Sequence, residues 1–210
     1  MVRSVFLRMV GGLAAVIFGL GLGSAASAQD AATPKAVVER FHFALIDGMK
    51  KGKELGFAGR HAKLEPVVRE AFDAEAMARI STGAAWAKMS DAEHGEIVAA
   101  FITWTVASYA GNFAAYDGET FVTKGETPDD GKGNVLVNTQ LNPKGMAPVL
   151  FNYRLHKVGA AWKIFDIYLD GAVSQLAMRR AEFAAVLAKG TAADLVAHMK
   201  RLTAEADKGV

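Results

Sequence analysis

The chain has 210 residues, 51% of them hydrophobic and 22% charged, and it contains no cysteine. That length suits one domain with a sizeable core, and the composition excludes wholesale disorder, collagen-like repeats and a disulfide-stapled scaffold. Thiol nucleophiles, iron–sulfur ligation and cysteine-built zinc sites are excluded with them.

Arg3 and Arg8 flank the start of an uncharged apolar run, Met9 to Gly23, and Ala26-Ser27-Ala28 is a small-residue cleavage signal. This order predicts a cleavable signal peptide over residues 1–28, one mature domain over residues 29–210, and export to the periplasm. The run is shorter than the roughly twenty residues that span a bilayer as a helix. Loss of Arg3 and Arg8 takes the 24 basic residues to 22, equal to the 22 acidic ones. A nucleic-acid binder needs a basic excess to displace counterions from phosphates, so no nucleic acid is expected as a partner.

Thr33-Pro34 reads as an N-cap followed by proline at the first helical position. Val37, Phe41, Leu45 and Met49 then form one helical stripe, which Gly52, Gly56 and Gly59 are expected to break. Leu64, Val67, Val68 and Phe72 mark a second helix, and Asp73 caps a third that ends at Gly83. Ser90-Asp91-Ala92-Glu93 is a capping box. The helix it opens carries no charged residue from Ile97 to Phe113, so it is buried on most sides or borders an apolar cavity.

From Glu119 the period changes to two. Segments beginning at Phe121, Val135, Val149 and Trp162 alternate as strands, separated by turns at residues 128–131, 142–145 and 158–160. Helix returns with the stripe Val173, Leu176, Arg180, Phe183 and Leu187, and Thr191 to Asp194 caps a last helix. The expected fold is α+β: a four-stranded antiparallel curved sheet, with helices packed on one face and enclosing an apolar pocket.

Converging catalytic groups are scarce. His42, His61, His94, His156 and His198 show no ligand spacing, so no metal is expected. No nucleophile elbow, phosphate loop or dinucleotide fingerprint occurs, so no cofactor is expected either. Asp166 and Asp170, four residues apart and facing one side of a strand, are the best acid–base candidates. Their structural alternative is a turn at Asp170-Gly171 and a cross-strand partner for Asp166 in Arg154 or His156.

The informative surplus is apolar. In the fourth strand Trp162, Ile164 and Tyr168 point one way while Phe165, Ile167 and Leu169 point the other. A sheet with one solvated face needs only one oily side. The excess suits a cavity for a lipid, whose burial contributes about 0.8 kcal/mol per methylene. The candidate lipid-binding residues are Phe101, Trp104, Tyr109, Phe113 and Tyr116 on and after the uncharged helix, with Val137, Phe151, Tyr153, Ile164 and Tyr168 on the strands.

Phe72-Asp73, Met77-Ala78-Arg79, Gly83 and Trp86 stand in the order of the FD-x-x-x-MAR-x-x-x-G-x-x-W signature. With the block from Trp162 to Gly171, Ser174 and Arg179 to Phe183, the chain resembles the toluene-tolerance, or MlaC, family of periplasmic lipid-binding proteins over about residues 33–203. The variants at 56–68 (GFAGRHAKLEPVV) and 166–171 (DIYLDG), with RRAEF, are most similar to its hopanoid-biosynthesis-associated branch, HpnM. The resemblance implies a soluble, non-enzymatic carrier of a hopanoid or phospholipid. It also implies a membrane-embedded ABC or acceptor complex as partner; Arg79 matches the signature's arginine and is read either as salt-bridge support of the helical layer or as a head-group contact. A small-molecule enzyme using Asp166 or Asp170 as general base is the alternative, and a structural adaptor without a cavity is a third class.

Overall fold

Helix formation begins where the sequence caps it. The computed structural model describes residues 32–208, so the leader expected over residues 1–28 lies outside the described residues. The Thr33 hydroxyl accepts the Ala36 N–H, and Pro34 opens helix α1 (Pro34–Lys50), which buries Val38, Phe41, Leu45 and Met49. The first helix ends at Lys50, just before Gly52, as expected, but helix resumes at once. Helix α2 (Gly52–Ala71) passes through all three glycines with a kink at Gly56, where φ is 59° and ψ is −172°. That backbone is open to glycine and closed to other residues, so Gly56 interrupts the helical path and joins two segments at a kink.

Asp73 accepts the Ala76 N–H at 2.9 Å and caps α3 (Ala74–Thr82), which runs into a 3-10 turn at Gly83–Lys88. Ser90 and Glu93 form the expected capping box at the head of α4 (Asp91–Asn112). Strands β1 (Thr120–Asp129), β2 (Asn134–Asn142), β3 (Val149–Val158) and β4 (Ala161–Leu169) follow as an antiparallel meander. The sheet has five strands rather than the four expected, because β5 (Val173–Ser174) pairs back on β4. Two residues are too short to write a period-two signal. Helices α5 (Gln175–Leu187) and α6 (Ala192–Ala206) close the chain, the latter with the Thr191–Asp194 capping box.

Register decides which side chains face the helices. Val137, Thr139 and Leu141 lie opposite Tyr153, Phe151 and Val149, and Tyr153 and Phe151 lie opposite Ile167 and Leu169. Between the pairs Arg154–Asp166 and Leu155–Ile164, residue Phe165 is extra. This bulge reverses the alternation of β4. Ile164 therefore shares the inner face with Ile167 and Leu169, while Tyr168 falls on the outer face. Strict period-two counting from Trp162 places Ile164 and Tyr168 together, and the bulge overturns it.

The long uncharged helix is accounted for by its neighbours. Helix α4 packs against α2, α3 and α6. It meets α6 closely enough that a Cβ at Gly111 would lie 2.5 Å from the Ala206 carbonyl oxygen. The buried Arg60 of α2 donates to the Ala110 carbonyl at 2.8 Å and to the Gly52 carbonyl at 3.0 Å, which ties α2 to α4 and satisfies the charge with carbonyl dipoles. No helix among the described residues is long and apolar enough to cross a membrane.

Candidate functional site

One side of α4, half-buried at Thr105, Ser108 and Tyr109, faces a hollow. A cavity of about 470 Å3 lies between α4 and the inner face of the sheet, with α3 and α5 contributing to its wall. Phe101, Trp104, Tyr109 and Phe113 face it from α4, and Leu141, Phe151, Ile167 and Leu169 face it from the strands. Met49, Phe72, Met77 and Leu176 add aliphatic and aromatic surface from α1, the end of α2, α3 and α5.

The aromatic rings interlock on one side. Phe41 meets Phe72 and Tyr109 edge-to-face at centroid distances of 5.1 and 4.8 Å, and Phe101 meets Trp104 in the same way at 5.7 Å. Such pairs fix ring positions beyond what area burial alone does. Thr105 and Ser108 also line the cavity, but their hydroxyls donate to the Phe101 and Trp104 carbonyls at 2.8 and 2.9 Å. They spend their protons on the helix and leave the cavity short of donors. Burial raises the Tyr109 phenol above its ordinary value, so the hydroxyl stays neutral.

Besides Thr105 and Ser108, the polar lining residues are Asn112, Glu119, Gln175 and Arg179. The Arg179 guanidinium lies over the Trp104 ring at 4.5 Å and donates to Glu182 at 2.7 Å. Glu182 also accepts His198 Nε2 at 2.6 Å. Burial acts to raise the Glu182 carboxyl, but hydrogen bonds from His198 and Arg179 outweigh it and hold the group below its usual value. A larger hollow of about 570 Å3 between α2, α3 and α4 is lined by Arg69, Glu75, Asp91 and His94, with Trp86 stacked on His94 at 3.9 Å. Its charged lining does not suit a hydrocarbon.

Five of the ten expected apolar positions line the cavity: Phe101, Trp104, Tyr109, Phe113 and Phe151. Val137, Tyr153 and Ile164 are on the inner face but are packed solid, at 0%, 1% and 0% exposure. Tyr153 Oη lies 2.9 Å from His42 Nε2 on α1, and Ile164 bridges to Phe72, so helices cover this end of the sheet. Tyr168, turned outward by the bulge, pairs with Ser174 and lies 5.7 Å from the Arg154 guanidinium. Tyr116 is exposed beyond α4, with the Lys50 ammonium 5.1 Å from its ring. Arg79 is exposed on α3 and is not among the lining residues.

Sequence reasoning missed Met49, Phe72, Met77, Leu176 and Arg179, although Phe72 and Met77 belong to the signature itself. Each sits at an element end or on a helix whose stripe reads as ordinary core.

The carboxylates part company. Asp166 is buried, and its oxygens accept the Ile167 N–H at 2.8 Å, the Leu176 N–H at 3.1 Å and the Ser174 hydroxyl at 2.7 Å. Its side chain anchors the start of α5. Arg154 stands opposite Asp166 in register but donates to Asp129 and Asp130, and His156 pairs with Asp73 at 2.8 Å, so neither takes the expected bond to Asp166. Asp170 is exposed in the turn to β5 at φ 49°, not in a turn leading directly into α5.

A profile of the MlaC protein family matches residues 39–201, more than half of the chain. The chain belongs to the MlaC family. That match spans every residue that lines the cavity, from Met49 to Arg179. The fold is also similar to that of a phospholipid-binding protein from Ralstonia solanacearum, solved in complex with a phospholipid. The two share 23% identity with a TM-score of 0.69, over 83% of this chain and 99% of that one. No curated protein matches the sequence. Within this MlaC-family chain the signature residues have separate tasks: Phe72 and Met77 line the cavity, Asp73 caps α3, and Trp86 covers His94.

Proposed function

We propose that this MlaC-family protein is a periplasmic lipid carrier. It takes a hopanoid or phospholipid into the cavity beneath α4 and passes it between membranes as the soluble part of an ABC-type transport system. The observation that carries this reading is the cavity itself: about 470 Å3 lined mainly by aromatic and aliphatic side chains. At about 30 Å3 for a water-sized group, that space takes roughly sixteen methylenes, the length of one ordinary acyl chain. Burying them contributes about 13 kcal/mol before the costs of ordering, ample to draw a chain out of water.

Family membership supports the carrier reading, and the phospholipid in the Ralstonia solanacearum relative supports lipid as cargo. Export rests on the leader pattern at residues 1–28. The variants at 56–68 and 166–171 support the hopanoid-associated branch and keep a hopanoid beside a phospholipid as cargo. Asp166, with every oxygen engaged in anchoring α5, offers nothing to an enzymatic reading.

Purification from the native host, followed by native mass spectrometry and identification of extracted lipid, tests the reading. A stoichiometric lipid adduct is the expected result. Protein that emerges lipid-free, and that takes up no lipid from vesicles of host extract, contradicts it.

A further inference from the structure

Among the lining residues of the cavity there is one cation, Arg179, and one anion, Glu119. Glu119 already accepts the Asp117 N–H at 2.6 Å. Arg179 is built differently. Its guanidinium carbon lies over the Trp104 ring, 4.5 Å from the centroid, and one amino nitrogen, Nη1, is bonded to Glu182. The remaining guanidinium nitrogens, Nε and Nη2, have no hydrogen-bond partner among the described residues. A half-paired guanidinium keeps a rigid fork of donors, the geometry that matches phosphate.

Glu182 does not occupy the fork in full. Glu182 is shared between Arg179 and His198, and Arg201 Nη2 lies 3.4 Å from His198 Nδ1. The cluster of Arg179, Glu182, His198 and Arg201 thus engages only the Nη1 edge of Arg179 with its carboxylate. Its only member on the cavity wall is Arg179.

We infer that Arg179 is the head-group anchor of the site, donating its free N–H groups to the phosphate of a lipid whose acyl chain lies in the cavity. This rests on the carrier reading and sharpens it: the cargo is a phosphate-bearing lipid, and a neutral triterpenoid forfeits the contact. Arg79, the cation suggested by sequence, stands away from the cavity wall. Hydrogen bonds to a charged group shift a binding ratio by about 10- to 100-fold.

The test is a competition. Delipidated protein is equilibrated with equimolar phosphatidylglycerol and diacylglycerol of identical chains in mixed micelles, and the bound lipids are counted by native mass spectrometry. Wild type favours the phospholipid by about tenfold or more. Arg179→Gln brings the ratio close to one, and Arg180→Gln, the same charge removed from the exposed neighbour, leaves it at the wild-type value. Arg179→Lys keeps a charge without the fork and falls between, which decides the matter if the glutamine variant does not fold. The inference is overturned if either Arg179 variant keeps the wild-type ratio, or if Arg180→Gln lowers it as far as Arg179→Gln does. Wild type that takes both lipids equally overturns this inference alone. Wild type that takes neither overturns the carrier reading with it.

Discussion

Ser108→Phe fills the cavity from the middle of α4. Ser108 lines the space, and its hydroxyl is engaged with its own helix, so no partner across the cavity is lost. Serine and phenylalanine have similar helix propensity, so α4 itself is little affected. The ring adds five heavy atoms in place, about 100–150 Å3 if each is close to water-sized. That is a fifth to a third of the 470 Å3 present. Room for about four methylenes disappears, at about 0.8 kcal/mol each, or about 3 kcal/mol in all. Affinity for a long-chain lipid should therefore fall by about two orders of magnitude, while the melting temperature holds or rises. Displacement of an environment-sensitive acyl probe, beside a thermal melt, measures both. A folded Ser108→Phe protein that binds lipid as tightly as wild type would refute the placement of the chain beneath α4.

Three other perturbations test the frame around the cavity. Burial lowers the His42 imidazole to about 3, so below its ordinary value near 6.5 the unfolded chain takes up a proton that the folded one refuses. Stability should thus decline as pH falls from about 6.5 toward 3, by about 2 kcal/mol at pH 5 from this residue alone. Urea titrations of wild type and His42→Gln at pH 7 and pH 5 isolate the effect, and an equal pH dependence in the two would contradict it. Asp166→Ala strips acceptors from the buried Ile167 and Leu176 N–H groups. It should cost about 2–4 kcal/mol, whereas Asp166→Asn costs less and still takes up lipid, which would eliminate the enzymatic reading; loss of uptake in folded Asp166→Asn would contradict a purely anchoring role for Asp166. Gly111→Ala drives a methyl toward the Ala206 carbonyl and should destabilise by about 1–3 kcal/mol, read from the urea midpoint; an unchanged midpoint would deny the close α4–α6 contact.

Much of the fold was legible because its signals are local. Thr33, Asp73, Ser90 and Thr191 cap helices as their side chains dictate, and the meander follows from turn residues and alternation. What escaped was non-local or too short to carry a period. The immediate return to helix from Gly52 onward, across the kink at Gly56, rests on non-local contacts, and β5 needs β4 to exist. One extra residue, Phe165, reversed a face and moved Tyr168 out of the candidate site. The uncharged stretch from Ile97 to Phe113 told of its burial, and its four aromatic candidates do line the cavity. On the strands the same apolar pattern describes Phe151, which borders the space, and Val137 and Tyr153, which are sealed in the core. Only the helices above the sheet separate them, and their placement is set by tertiary packing.

The most direct test of the account is to find where the hydrocarbon lies. A phospholipid with a diazirine near the end of one acyl chain, loaded and photolysed, will mark the residues around that chain. Peptide mapping by mass spectrometry should find the label on α4, β3, β4 and the start of α5, at Phe101, Ser108, Phe151, Ile167 or Leu176. Label confined to the hollow around Trp86, or to the exposed faces of α5 and α6, would contradict the claim that the space beneath α4 is the lipid site.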